Sequence, residues 1–176
     1  MTASSTTVSP WHDAIEHHIW ANDRILDACA ALTDEQLRQN VPGTFGPIMA
    51  TLHHLIGTDG WYLSFFLEFD NPITDDTDVT IDLLREANAA NGERYRTVLA
   101  AETDPERDVV EEGDGWRFHT PVAFRYAQTV QHGTDHRSQV CTGLTALGIE
   151  PPQIDVWAYG EATGRSRAEY LTPPTG

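Results

Sequence analysis

Residues 120–148 read TPVAFRYAQTVQHGTDHRSQVCTGLTALG, and the fold turns on how this stretch is read. Thr120-Pro121 pairs a capping residue with a proline at a first-turn position, a usual helix opening. Phe124, Ala127, Val130, His132, His136, Val140, Leu144 and Leu147 then recur near helical spacing. Gly148 supplies a C-terminal stop. The pattern predicts a long helix over 120–147, and a helix with one apolar stripe needs others to cover it.

Those others lie upstream. A first helix opens at Ser9-Pro10 and carries Trp11, Ile15, His18, Ile19, Ile25, Leu26 and Cys29 to about Leu32, where Thr33-Asp34-Glu35 starts a new turn. A second, from Gly46 to Phe69, is apolar around most of its circumference and belongs at the centre. Asp70-Asn71-Pro72 ends it. A third spans Thr80 to Ala101, with Ile81, Leu84, Ala87, Asn91, Tyr95, Val98 and Leu99 as its inner stripe. Between Arg107 and His119, Gly113-Asp114-Gly115 separates two apolar pairs, which reads as a hairpin or long loop. After Pro151-Pro152, the apolar turn Ile154–Tyr159 packs back. The expected architecture is an all-α four-helix bundle over residues 10–165, with tails at 1–9 and 166–176.

Composition narrows the function classes. The 176 residues hold 11 Lys+Arg against 27 Asp+Glu, a formal net charge of -16. That field repels phosphate backbones and anionic lipid surfaces, so neither nucleic acid nor a membrane is an expected partner. No run approaches the roughly 18 apolar residues of a membrane span. Met1–Ser9 lacks the basic start and apolar stretch of a signal peptide, which points to the cytoplasm. Cys29 and Cys141 sit in apolar helical stretches and read as buried reduced thiols.

The eight histidines are the informative feature. His132 and His136 are one turn apart, about 40° around the helix, so both imidazoles can meet one ion. Arg125, Gln128, Thr129, Gln139 and Gly143 fall within roughly 60° of His132 on the wheel. His53-His54 lies in the most apolar helix, and because adjacent residues point about 100° apart, one of the pair faces the interior. A buried imidazole needs a hydrogen bond or a ligand role. Three histidines with an open fourth position match a catalytic rather than a structural site, and neutral imidazoles suit zinc, nickel, copper or iron. His18, on the inner stripe of the first helix with Asn22, is a candidate for the layer around the ligands. His12, His17 and His119 read as surface or loop residues. Cys141 lies about 140° from His136 and is poorly placed as a fourth ligand. Asp59 and Asp135 are near in sequence, with nothing to tie either to the site.

At these residues the chain resembles the DinB/YfiT-like family of damage-inducible metalloenzymes. Trp20-Ala21-Asn22 resembles the family's Trp-x-Asn pattern, and Leu52-His53-His54-Leu55 its second-helix histidine followed by an aliphatic residue. The stretch Gln131 to Gln139 resembles its signature ending His-Arg-Gly-Gln, with Ser138 in place of the usual glycine. The resemblance covers roughly residues 11–165. It implies that His54 rather than His53 joins His132 and His136, in an up-down-down-up bundle that binds a divalent metal, zinc or nickel, and forms a homodimer. It further implies a low-molecular-weight thiol as co-substrate, in S-transfer to a small molecule or isomerisation of one. Separately from the resemblance, the wheel positions of Arg125, Gln128 and Gln139 suggest residues that orient an anionic substrate. The alternatives are a metal-dependent hydrolase, a non-enzymatic protein in which the metal staples helices, and a metal-free helical module. Fold alone does not choose among them.

Overall fold

Four of the helices carry two apolar groups each, separated by polar residues, and this division organises the molecule. The computed structural model describes residues 9–169. Among them are six helices and one two-stranded antiparallel sheet. The helices are α1 His12–Cys29, α2 Asp34–Arg38, α3 Ile48–Ser64, α4 Ile81–Ala101, α5 Val122–Ala146 and α6 Val156–Thr163. The strands are β1 Asp108–Gly113 and β2 Trp116–Pro121. Helix α1 packs on α4 and α5, and α3 packs on the same two partners.

One apolar cluster joins Ile25 and Leu26 of α1, Leu52, Leu55 and Ile56 of α3, Leu84 of α4, and Val140 and Leu144 of α5. The other joins Ile15 and Ile19, Leu63, Tyr95 and Val98, and Val122 and Tyr126, with Val109 of β1. Between the two sets, each helix places buried polar residues: His18 and Asn22, Asp59, Asn88 and Asn91, and Thr129 and Arg137. A polar layer thus crosses an otherwise oily core. The order of clusters along the chain also gives direction. Helices α1 and α5 run from the second cluster to the first, and α3 and α4 run the opposite way.

Arg137 is 2 % exposed at the heart of this layer. Burying a guanidinium costs several kcal/mol unless its donors are met. Its Nη1 donates to Asn22 Oδ1 at 2.9 Å and to His18 Nδ1 at 3.0 Å. Arginine can only donate, so His18 keeps its proton on Nε2, which donates to Asp59 Oδ2 at 2.8 Å. The imidazole therefore links cation to carboxylate. Asn22 and Tyr95 donate to the same carboxylate. Gly133 makes room, because a Cβ there would lie 2.3 Å from His18 Nδ1 and 2.7 Å from Arg137 Nη1.

Several elements differ from the sequence-based expectation. The sheet amends a purely α architecture: the hairpin is real, with Val110 opposite His119 and Glu111 opposite Phe118. Thr120 pairs with Val109 in that sheet instead of capping α5, and Pro121 takes the N-cap position with no side-chain bond. Helix α3 stops at Ser64, where Phe66 and Leu67 turn back on Leu63 and pack into the second cluster. The turn at Thr33 is a short helix with a reciprocal capping box between Thr33 and Gln36. The expected short apolar turn extends into α6, capped by Asp155 and closed by Gly164 at φ 73°. Of the tails, residues 1–8 and 170–176 lie outside the described residues. Arg165 is held by Asp13 at 2.6 Å.

Candidate metal centre

The polar layer orients the two faces of α5. Gly133 and Arg137 point toward α1, which turns His132 and His136 toward α3 and His54. The three rings stand edge to face, with centroids 4.4–5.0 Å apart. Each offers one ring nitrogen, and these atoms lie within 4.8 Å of one another. His54 Nε2 and His132 Nε2 are 3.1 Å apart. Two nitrogens at about 2.05 Å from a tetrahedral ion are separated by about 3.3 Å, so the spacing suits such an ion. Among the described residues, this is the one group of three or more His, Cys, Asp or Glu side chains that could hold a metal.

Protonation also favours ligation. Burial, reinforced by the neighbouring imidazoles, lowers the pKa of His54 and brings that of His132 to about 4. Both rings therefore stay neutral with a lone pair to give. Gln139 Oε1 accepts from the Phe45 backbone N–H at 3.2 Å and so must accept from His136 Nδ1–H at 3.1 Å. That hydrogen bond leaves the His136 Nε2 lone pair pointing to the centre, the orienting role such partners play. Thr58 Oγ1 lies 3.5 Å from His54 Nδ1. His132 Nδ1 is buried with no partner among the described residues.

Aromatic rings wall the cluster. Phe45 stacks on His54 with centroids 4.5 Å apart and meets His136 edge-on. Tyr62 stands edge-on to His132 at 5.7 Å and accepts a hydrogen bond from Gln128. Alongside His54 opens a cavity of about 720 Å³, bordered by Phe45, Thr58, Trp61, Ile73 and Asp75. Its size is that of a small-molecule site.

The sequence-derived candidates sort clearly. His54, His132 and His136 converge. His53 turns away, its Nε2 donating to the Thr74 carbonyl at 2.8 Å. His18 lies in the polar layer, bonded to Asp59 and Arg137 and to none of the three rings. His17 corrects its assignment as a surface residue: it is 8 % exposed, donates to Ile154 O at 2.7 Å and packs on Trp20 and Tyr159. His119 is exposed beside Asp108. The Asp135 carboxylate accepts from Gln131 and, among the described residues, touches none of the three rings. Both cysteines are free, and burial pushes the Cys29 thiol up to about 12. No sequence signal marks Phe45, Thr58 and Tyr62: Thr58 and Tyr62 lie one and two turns beyond His54 on α3 and Phe45 on the loop before it, at spacings that resemble ordinary core pattern.

A helical protein in which three imidazoles from two helices form one cluster compatible with a divalent ion is the class that fold and site define together. The DinB family profile matches residues 3–170, nearly the whole chain, and the protein belongs to that family. No curated protein matches the sequence. No helix among the described residues is long and apolar enough to cross a membrane.

Proposed function

We propose that this protein is a divalent-metal-dependent enzyme that transfers a low-molecular-weight thiol to an electrophilic small molecule, or isomerises one with the thiol's help. In this reading the four long helices form an up-down-down-up bundle, supported by the reversed order of the two apolar clusters in α3 and α4. The observation that carries the proposal is the convergence of His54, His132 and His136 on one point, with a cavity beside His54. A divalent ion held there, zinc or nickel, supplies a Lewis acid that lowers the pKa of a thiol or water in its open position.

The chain's own residues do the rest. Gln139 fixes the His136 ring, and Phe45 shields His54 and His136 from bulk water on one side. Phe45 and Trp61 offer apolar walls to an electrophile lying beside His54. The preference for thiol transfer over hydrolysis rests on the family resemblance. The test pairs metal analysis of tag-free protein with a thiol assay against 1-chloro-2,4-dinitrobenzene. Wild type is expected to hold close to one zinc or nickel per chain and to accelerate conjugation. His132→Ala is expected to keep its helical spectrum and lose both metal and turnover. Metal uptake without thiol turnover would contradict the transferase reading, and a folded wild type that takes up neither ion would contradict the metal reading.

A further inference from the structure

Two turns before His132 on α5, Arg125 shares its face of the helix and stands about 10 Å away along the axis. The residue is 7 % exposed. Its Nε and Nη2 are buried and have no hydrogen-bond partner among the described residues. A guanidinium stays charged at any physiological pH, so this is a buried cation with two idle donors, an arrangement that costs free energy unless an anion completes it.

The surroundings hold the guanidinium in place without satisfying it. Its Cζ lies over the Phe65 ring, 4.0 Å from the centroid. Phe65 in turn meets Trp61 edge-on at 5.0 Å, and Trp61 borders the cavity beside His54. One turn along α5 toward His132, Gln128 donates to Tyr62, whose ring stands edge-on to His132. The nearest carboxylate is Glu111 of β1, whose Oε2 is 3.7 Å from Arg125 Nη2, too far for a hydrogen bond. Side chains alternate along a strand, so Glu111 shares the inward face with buried Val109. The hairpin thus carries a carboxylate on the face that it otherwise uses for packing.

We infer that Arg125 is an anion-binding residue, receiving the carboxylate of a substrate or thiol whose reacting end lies at the three-histidine cluster. Glu111 stands in that place when the ligand is absent, and binding moves it aside. The fork of donors suits a carboxylate, which it can hold through two parallel hydrogen bonds. This deepens the proposed function by naming the ligand as an anion, and it rests on that reading for the position of the reacting end.

The test measures binding, separately from turnover, on zinc-loaded protein by calorimetry. The probes are glutathione, a thiol with two carboxylates, and its diethyl ester, the same thiol without them. Glutathione is expected to bind more tightly than the ester. Arg125→Gln should weaken glutathione by about 10- to 100-fold and leave the ester unchanged, as expected for loss of charge-assisted hydrogen bonds. Glu111→Gln removes the internal competitor and should tighten glutathione several-fold. It stands as the test even if Arg125→Gln fails to fold. Equal affinity for acid and ester, no glutathione binding, or a Glu111→Gln protein that binds no better would overturn the inference. Charge-dependent binding without conjugation would leave it standing and sink the transferase reading instead.

Discussion

Gln139 shows how one side chain can orient a candidate ligand from outside the histidine cluster. Its carbonyl oxygen takes the His136 Nδ1 proton and the Phe45 amide, so the ring has one tautomer and one direction. Gln139→Ala is predicted to leave the fold intact and weaken zinc affinity by about 10- to 100-fold, measured by competition with a chromophoric chelator. Unchanged affinity would mean that the ring needs no such anchor. Gly133 makes the opposite case, a residue whose value is the absence of a side chain. Gly133→Ala drives a Cβ against His18 and Arg137. It should cost roughly 3 kcal/mol in denaturant unfolding, because the imidazole must leave a buried cation. A loss below about 0.5 kcal/mol, the range of an indifferent surface change, would contradict this account of the polar layer. At this scale the sequence was partly legible. The one-turn spacing of His132 and His136 fixes a shared face from helix geometry alone. Nothing comparable marks Asp59 or Phe45, whose partners come from other helices and loops.

Among the elements, α6 is held against α1 in part through His17. His17 donates its Nε2 proton to Ile154 O just ahead of the helix and stacks edge-on against Tyr159 within it. Burial lowers the His17 pKa below the ordinary 6.5, with Arg137 and His18 adding to the shift and the carbonyl and Asp155 opposing it. The unfolded chain takes up its proton first as pH falls, so between the two pKa values the unfolded state binds more protons and stability drops with pH. The contribution is complete above 6.5 and declines below it. His17→Gln keeps a donor but cannot titrate. The prediction is that wild type loses more stability than this variant between pH 7 and pH 5, by urea titration. Parallel losses would show that His17 carries none of the dependence. Element boundaries were less legible than element types. Thr120-Pro121 has the chemistry of a helix start, yet hairpin pairing claims Thr120 first. The aromatic run after Ser64 looks helical by content, but tertiary packing bends it into the second cluster.

Across the whole molecule, the polar layer and the histidine cluster belong to one design. Arg137 and Gly133 on one face of α5 hold it against α1, and so set where His132 and His136 meet α3 on the other. The four long helices were legible because each repeats apolar residues with helical period. The layer between the clusters was legible only in part: His18, Asn22 and Asn91 fall on inner stripes, but nothing in the sequence marks Asp59 and Arg137 as buried until their partners arrive from other helices. Ion binding to the native state alone should also raise the unfolding temperature, in proportion to occupancy. The most direct measurement is X-ray absorption at the zinc edge on the zinc-loaded protein. The account predicts three imidazole nitrogens at about 2.0–2.1 Å, with at least one further light ligand that is not histidine. Fewer than three imidazoles, or a His54→Ala protein with an unchanged spectrum, would contradict it.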